Sequence, residues 1–302
     1  MKLSASQAPQ EPGPRFSVVT IAEPQDPRLD DVRNLNASDR PTAAGGSGGL
    51  VIAEGHLVVS RLVDSRFPVR CIVGFRSKLE QFFELYAEEL AALQAAGKLD
   101  FPIYEVTRET LAQVAGFDMH RGLVAAADRA SAVPVGQVLD SARTVVVLEG
   151  VGDHENIGAI FRNAAGMDVD AVLFGNGCAD PLYRRSVRVS MGHVLRTPFS
   201  YLDGTFTTWQ RSLEQLRDAG FRLVSLTPHE DAVHLAEALD GAEKVALLVG
   251  AEGPGLTEHA MRATDVRARI PMAAGTDSLN VATSAAIAFY ERQRSLVAKL
   301  SN

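Results

Sequence analysis

Short apolar runs alternate along the chain with stretches of helical period, and the alternation predicts two α/β units in series. In the first unit LVIAEG (50–55), VRCIVGF (69–75), IYEVT (103–107) and GLVAAAD (122–128) read as strands. Ser77–Ala96 reads as a helix ended by Gly97, and Arg108–Ala115 as a short helix closed by Gly116. The second unit opens with TVVVLEGV (144–151), a nearly continuous β-branched run of the kind buried on both faces of a parallel sheet. Further strands are expected at AVLF, RLVSL, VALLVG and RARIPM, with helices over Ile157–Ala165, Pro181–Met191, Thr208–Ala219 and from about Leu279 onward. Strand followed by helix, repeated, predicts a parallel sheet covered by helices.

The intervening composition sets the expected boundaries. Residues 1–24 mix Pro, Ser, Gln and Glu without period and predict a disordered or loose tail. Residues 25–129 form the first domain, 130–143 a linker where Ala130–Pro134 breaks the pattern, and 144–302 the second domain. Within the first, Pro27–Arg40 carries helical spacing, and PTAAGGSGG (41–49) reads as a flexible loop, since no GK[ST] follows and no helix opens there.

A length of 302 residues suits two such domains, and a formal charge of −7 argues against indiscriminate polyanion binding while leaving room for a local basic face. Cys71 and Cys178 stand far apart, so neither a disulfide framework nor a cysteine zinc site is expected. The N-terminal residues lack a secretory signal's apolar core and no segment is long and apolar enough for a membrane span, so a cytoplasmic protein is expected. The seven histidines include no HExxH pair, and no metal is expected. Neither a GxSxG elbow nor a GxGxxG after the first strand is present, which argues against α/β-hydrolase and dinucleotide-binding chemistry.

Ligands of open parallel sheets bind beyond the carboxyl ends of strands, and three segments fall at such ends: DHENIGAIFRNAAG (153–166), VGAEGPGL (249–256) and IPMAAGTDSLNVATS (270–284). Singly each has an ordinary reading. GAEGPG is a tight turn, Asn156, Ser278 or Asn280 a helix cap, Arg162 a surface ion-pair residue, and Glu252 a solvated carboxylate.

Together, in order and spacing, they resemble the three motifs of the SpoU, or TrmH-type, family of SPOUT RNA methyltransferases. Asn156, Gly158 and Arg162 stand for the first motif, Gly250, Glu252, Gly253, Gly255 and Leu256 for the second, and Ile270, Pro271, Met272, Gly275, Ser278, Leu279, Asn280 and Val281 for the third. DPLYRRSVRVSMGHVLRTPF (180–199) is similar to the family's linking segment. EGHLVVSRLVDS and HRGLVAAAD resemble, more loosely, its N-terminal substrate domain, which is of ribosomal-protein type. Two departures stand out: Ala282 where the family usually has serine, and His193 where a small residue is usual.

The resemblance implies a C-terminal SPOUT domain with a deep trefoil knot, a homodimer formed through that domain, and transfer of a methyl group from S-adenosyl-L-methionine to a ribose 2′-hydroxyl of RNA. Ribosomal RNA is expected in preference to transfer RNA, because a separate N-terminal RNA-binding domain in this family more often accompanies ribosomal substrates. Carried onto this chain, it implies cofactor contacts from Thr227, Gly250, Ala251, Glu252, Gly253, Ile270, Met272, Ser278 and Leu279. Arg162 would act at the hydroxyl, with Asn156, Glu252, Ser278 and Asn280 supporting. A guanidinium's pKa above about 12 makes its free base scarce, so oxyanion stabilisation and phosphate holding are the preferred roles for Arg162. Tyr183, Arg184, Arg185 and Arg188, with Arg196 beyond, become a candidate phosphate track with a stacking aromatic. The rival readings are a non-catalytic RNA-binding or assembly factor and a small-molecule nucleotide enzyme.

Overall fold

The computed structural model describes residues 16–36, 49–273 and 275–300, with side chains described through Val297. The first unit comprises Val18–Thr20 (β1), Leu50–Glu54 (β2), His56–Val63 (α1), Val69–Gly74 (β3), Arg76–Leu85 (α2), Ala87–Ala95 (α3), Ile103–Glu105 (β4), Arg108–Ala115 (α4) and Leu123–Asp128 (β5). Its sheet runs β1-β4-β3-β5-β2, with β1, β4 and β3 parallel and β5 antiparallel to both its neighbours.

The loose tail expected through residue 24 is corrected at its end. Val18, Val19 and Thr20 pair with Ile103, Tyr104 and Glu105, and Ile21 is buried, because this short apolar run adds a strand to the free edge of β4. Residues 1–15 of that expectation, and 41–48 of the glycine loop, lie outside the described residues. The single helix expected over 77–96 is two, meeting at Tyr86, whose φ of −123° leaves the helical range. Gly116 closes α4 in the left-handed conformation, as its position predicts.

The second unit comprises Val135–Ser141 (α5), Thr144–Glu149 (β6), His154–Gly166 (α6), Ala171–Phe174 (β7), Arg184–Val189 (α7), Phe199–Tyr201 (β8), Glu214–Asp218 (α8), Phe221–Leu226 (β9), Val233–His234 (β10), Leu235–Leu239 (α9), Lys244–Gly250 (β11), Glu258–Arg262 (α10), Val266–Arg269 (β12) and Val281–Leu300 (α11). Seven strands in the order β10-β12-β9-β11-β6-β7-β8 form a wholly parallel sheet. Alternate side chains of β6 serve opposite faces: Val146 and Leu148 pack with Ile157, Phe161 and Phe289, while Val145 and Val147 pack with Leu139, Trp209 and Leu216. The expected linker, residues 130–143, is corrected too. It holds α5, whose Val138 and Leu139 are buried in the second of these layers, because their apolar spacing matches one helical face.

Arg292 of α11 is 1% exposed. It donates to Thr144 Oγ1 at 3.1 Å, the Ala242 carbonyl at 2.9 Å and the Glu243 carbonyl at 2.6 Å, clamping the helix to the start of β6 and the turn before β11. Burial, with Arg143 nearby, pushes this guanidinium down to about 10.

The two units meet through polar pairs as well as a shared apolar cluster. Arg184 Nη1 lies 2.7 Å from Glu54 Oε1, Arg129 Nη2 2.5 Å from Asp180 Oδ2, and Arg61 donates to the Met191 carbonyl at 2.6 Å. No helix of the described residues is long and apolar enough to cross a membrane.

Candidate active site

The carboxyl ends of β9, β11 and β12 open onto a cavity of about 300 Å³. Thr227, Gly250, Ala251, Glu252, Gly253, Ile270, Met272, Ser278 and Leu279, the nine positions expected to touch the cofactor, all line it. The segment after β11 turns back on itself, with Gly255 N–H donating to the Ala251 carbonyl at 2.9 Å. A Cβ at Gly250 would sit 2.2 Å from Gly255 C and Leu256 N, so only glycine permits this crossing. Gly253 and Gly255 take φ of +87° and +70°, also glycine conformations. Backbone is thereby brought to the cavity wall without side chains in the way.

Glu149, at the end of β6 and 2% exposed, ties this turn down. Its Oε1 accepts from Trp209 Nε1 and the Thr257 hydroxyl, each at 2.9 Å, and from Gln210 Nε2 at 3.4 Å, while Oε2 accepts from Thr257 N–H at 2.7 Å. The sequence reading missed Glu149 and Thr257. A glutamate ending a run of valines, with a threonine one residue beyond the second motif, was the available signal.

Asn280 joins the three segments. Its Nδ2 donates to Asn156 Oδ1 at 2.9 Å and to Glu252 Oε1 at 2.6 Å. Its Oδ1 accepts from Ala282 N–H and Thr283 N–H at 2.9 and 3.1 Å, capping α11. Ala282 therefore leaves the helix start capped. Asn156 is not itself a cap: Asp153 accepts from Glu155 N–H and starts α6, leaving Asn156 buried inside the first turn. Ser278 lines the cavity but makes no side-chain hydrogen bond among the described residues.

Arg162 stands apart. It lies on α6 about 120° around the helix from Asn156 at 100° per residue, is exposed, and is not among the residues lining the cavity of its own chain. It makes no hydrogen bond or ion pair among the described residues, and its charge is felt instead at Arg61 and His193. Gly158, one turn earlier, permits close packing of α6 on α7, since a Cβ there would meet Val189 at 2.7 Å and the Ser186 carbonyl at 2.9 Å.

The expected phosphate track along α7 is corrected at Arg184. That side chain is 13% exposed, ion-paired with Glu54 and 5.0 Å above the Phe117 ring, because the first unit docks over it. Arg185 is exposed and paired with Glu155 at 2.6 Å, Arg196 with Asp64 at 2.7 Å, and Arg188 is exposed. Tyr183 is half-buried, its ring 4.0 Å from that of His154. Among the described residues no group of three potential ligands could hold a metal ion.

Comparison with known proteins accords with this arrangement. A family described as the SpoU rRNA Methylase family matches residues 143–290. An uncharacterised tRNA/rRNA methyltransferase of Mycobacterium tuberculosis is 52% identical over 282 residues, 93% of each chain. The 23S rRNA (guanosine-2′-O-)-methyltransferase RlmB of Ralstonia nicotianae is 32% identical over 248 residues, 80% of this chain and 95% of its own. The AdoMet-bound rRNA methyltransferase of Sinorhizobium meliloti shares the fold at a TM-score of 0.70 and 24% identity, over 92% of this chain and 98% of that one.

Proposed function

The chain belongs to the SpoU family of RNA methylases, and on that premise we propose that it methylates a ribose 2′-hydroxyl of RNA, ribosomal in preference to transfer RNA, from S-adenosyl-L-methionine. The observation that carries this reading is the convergence of Thr227, residues 249–256 and Ile270, Met272, Ser278, Leu279, Val281 and Ser284 on one cavity, with Asn280 hydrogen-bonded to both Glu252 and Asn156. Such a wall, with glycine at Gly250 where a Cβ would strike backbone, fits a nucleoside held through main-chain amides and carbonyls. When bound, the cofactor supplies an electrophilic methyl on a sulfonium.

The chain's own residues then hold and polarise. Met272, Ile270 and Leu256 offer apolar surface to the adenosyl group, and Thr227 and Ser278 offer hydroxyls. Glu252, fixed by Asn280, sets the edge of the cavity nearest the first motif. Arg162 holds the phosphate beside the target ribose and stabilises its oxygen as the hydroxyl proton passes to solvent water and the methyl bond moves from sulfur to oxygen.

Since Arg162 does not line the cavity of its own chain, the reading includes a homodimer in which the guanidinium at position 162 reaches the cavity of the neighbouring copy. Supporting it, Ile287, Tyr290 and Val297 expose an apolar stripe at helical spacing on α11. Beside it lies an open hollow lined by Asn156, Ala159, Asn163, Thr283 and Ala286, elements of α6 and α11 that a second copy would cover. The reading also includes a knotted path, supported by the enclosure of one cavity by residues 249–256 together with Ile270, Met272, Ser278 and Leu279 although α10 and β12 lie between the two segments. An RNA substrate makes the cytoplasm the expected compartment.

The test is transfer of tritiated methyl from S-adenosylmethionine to total RNA by the wild type and Arg162→Ala. Loss of a positioned oxyanion donor lowers turnover by about 10²–10³-fold. S-adenosylhomocysteine binding by calorimetry stays unchanged, and ATP and NAD do not bind. Equal incorporation by both proteins overturns the catalytic assignment.

A further inference from the structure

The expected cation track along α7 loses Arg184 to Glu54, which raises the question of where an RNA strand beside Arg162 would run. Two cationic side chains, Arg61 and Arg196, and the imidazole of His193 flank Arg162 along the seam between the units. Arg61 projects from α1, and His193 and Arg196 follow α7. They are close enough that Arg61 and His193 are both pushed down, by burial first and then by neighbouring positive charges that include Arg196 and Arg162. Gly192 allows the approach, since a Cβ there would lie 3.2 Å from Val58 and 3.3 Å from Arg61 Cδ.

Arg61 donates to the Met191 carbonyl, and Met191 is also the far wall of a groove of about 410 Å³ on the first unit. Glu54, His56, Lys78, Tyr86, His120 and Arg121 line the rest of it. The charge balance of this seam is positive. Glu54 is neutralised by Arg184, Asp64 by Arg196, and Asp118, 3.6 Å from His120, by Arg108. Among the described residues the Arg121 side chain donates only to the Glu54 carbonyl at 3.1 Å, and the Lys78 side chain only to the Gln81 side-chain oxygen at 3.3 Å. Gly55 makes room for Arg121, whose Cδ would lie 3.1 Å from a Cβ there. Arg61, Lys78 and Arg121 have no carboxylate partner among the described residues, and in a chain of net charge −7 such cations, crossing from one unit to the other, make a surface suited to a polyanion.

We propose that the RNA strand leaving Arg162 follows this seam, its phosphates passing Arg61 and Arg196 and entering the groove of Lys78 and Arg121, where Tyr86 and His56 flank an unstacked base. This rests on the methyltransferase reading and extends it: the RNA spans both units of one protomer, and the α7 arginines are not its principal contacts. Lys78 and Arg121 act in binding alone, so their loss changes affinity and leaves turnover at saturation intact.

The test uses a full-length 23S rRNA transcript and compares wild type, the double variant Lys78→Gln with Arg121→Gln, and Arg188→Gln. For two lost contacts to single-stranded RNA, the plot of log affinity against log salt becomes shallower by about 1.4, with KM raised and kcat unchanged. Arg188→Gln leaves the slope as in the wild type. Because a weakened fold could also reduce binding, wild-type protein is photo-crosslinked to the same transcript carrying 4-thiouridine, with adducts expected in residues 54–61, 78–86 and 120–121. An unchanged slope in the double variant, or adducts confined to Arg185 and Arg188, overturns the proposal. Failure of the wild type to methylate the transcript overturns the ribosomal methyltransferase reading, and the crosslink map then still tells whether the seam binds RNA.

Discussion

Glu149→Gln is the sharpest test of how the cavity is held. The carboxylate accepts four hydrogen bonds while almost fully buried: three at Oε1, from Trp209, Gln210 and Thr257 Oγ1, and one at Oε2 from Thr257 N–H. An amide preserves shape but turns one oxygen into a donor. In the less costly orientation the three bonds at Oε1 survive in weaker, uncharged form, and the new NH₂ confronts Thr257 N–H. One charge-assisted bond is lost, at about 1.5–3 kcal/mol, and a buried N–H is left without a partner, at about 1–3 kcal/mol. A total of about 3–5 kcal/mol is a large part of the 5–15 kcal/mol that typically separates folded from unfolded domains. Thr257 follows the turn that walls the cavity, so the same loss frees that turn. Each 1.4 kcal/mol of it expressed locally weakens ligand binding tenfold. Urea unfolding would show a lower midpoint at unchanged slope, and calorimetry at least tenfold weaker binding of S-adenosylhomocysteine. Thr257→Val, which removes one of the four donors and the cap of α10, costs less, and its effect is not additive with that of Glu149→Gln. Wild-type stability and affinity in Glu149→Gln would refute the argument.

Three further outcomes follow from the same geometry. Asn280→Asp keeps the oxygen that caps α11 but sets a carboxylate against Glu252 and the Asn156 oxygen; the thermal midpoint changes little while methyl transfer falls by an order of magnitude or more, whereas Asn280→Ala also loses about 1 kcal/mol of capping. Arg184→Met leaves Glu54 buried without this partner and destabilises the protein by about 3–5 kcal/mol; adding Glu54→Gln restores much of the stability, as urea titration would show. His193 titrates below the usual imidazole range, first through burial and then through Arg61, Arg196 and Arg162. The unfolded state thus binds the proton more tightly, so this residue's share of stability is intact above about pH 6.5 and is lost as pH falls below it. The difference in stability between wild type and His193→Gln should vary over that interval and level off above pH 7.

Much of the second unit was legible because a parallel sheet buried on both faces writes itself as unbroken β-branched runs, as in TVVVLE and KVALLVG. The cavity was legible for a related reason: backbone that must pass close to backbone or ligand leaves glycines, as at Gly250, Gly253 and Gly255. What escaped depends on contacts distant in sequence. Val18–Thr20 is a strand only because β4 offers an edge, and α5 is a helix whose few apolar residues count only once the sheet is there to receive them. Phe199–Tyr201 is too short to show a period. Arg184 looks like its neighbours in the chain, and contacts with the distant first unit, Glu54 and Phe117, distinguish it.

The clamp made by Arg292 bears on the order in which the polypeptide acquires its structure during synthesis. The first unit closes with β5, so its sheet can assemble as soon as residue 128 clears the ribosome. The second cannot, because the guanidinium that binds the beginning of β6 to the turn before β11 resides on α11, which follows every strand of its sheet. Until that helix emerges, the face of the sheet that carries Val146 and Leu148 lacks the cover of Ala285 and Phe289, and this interval is when the chain has most need of a holding chaperone.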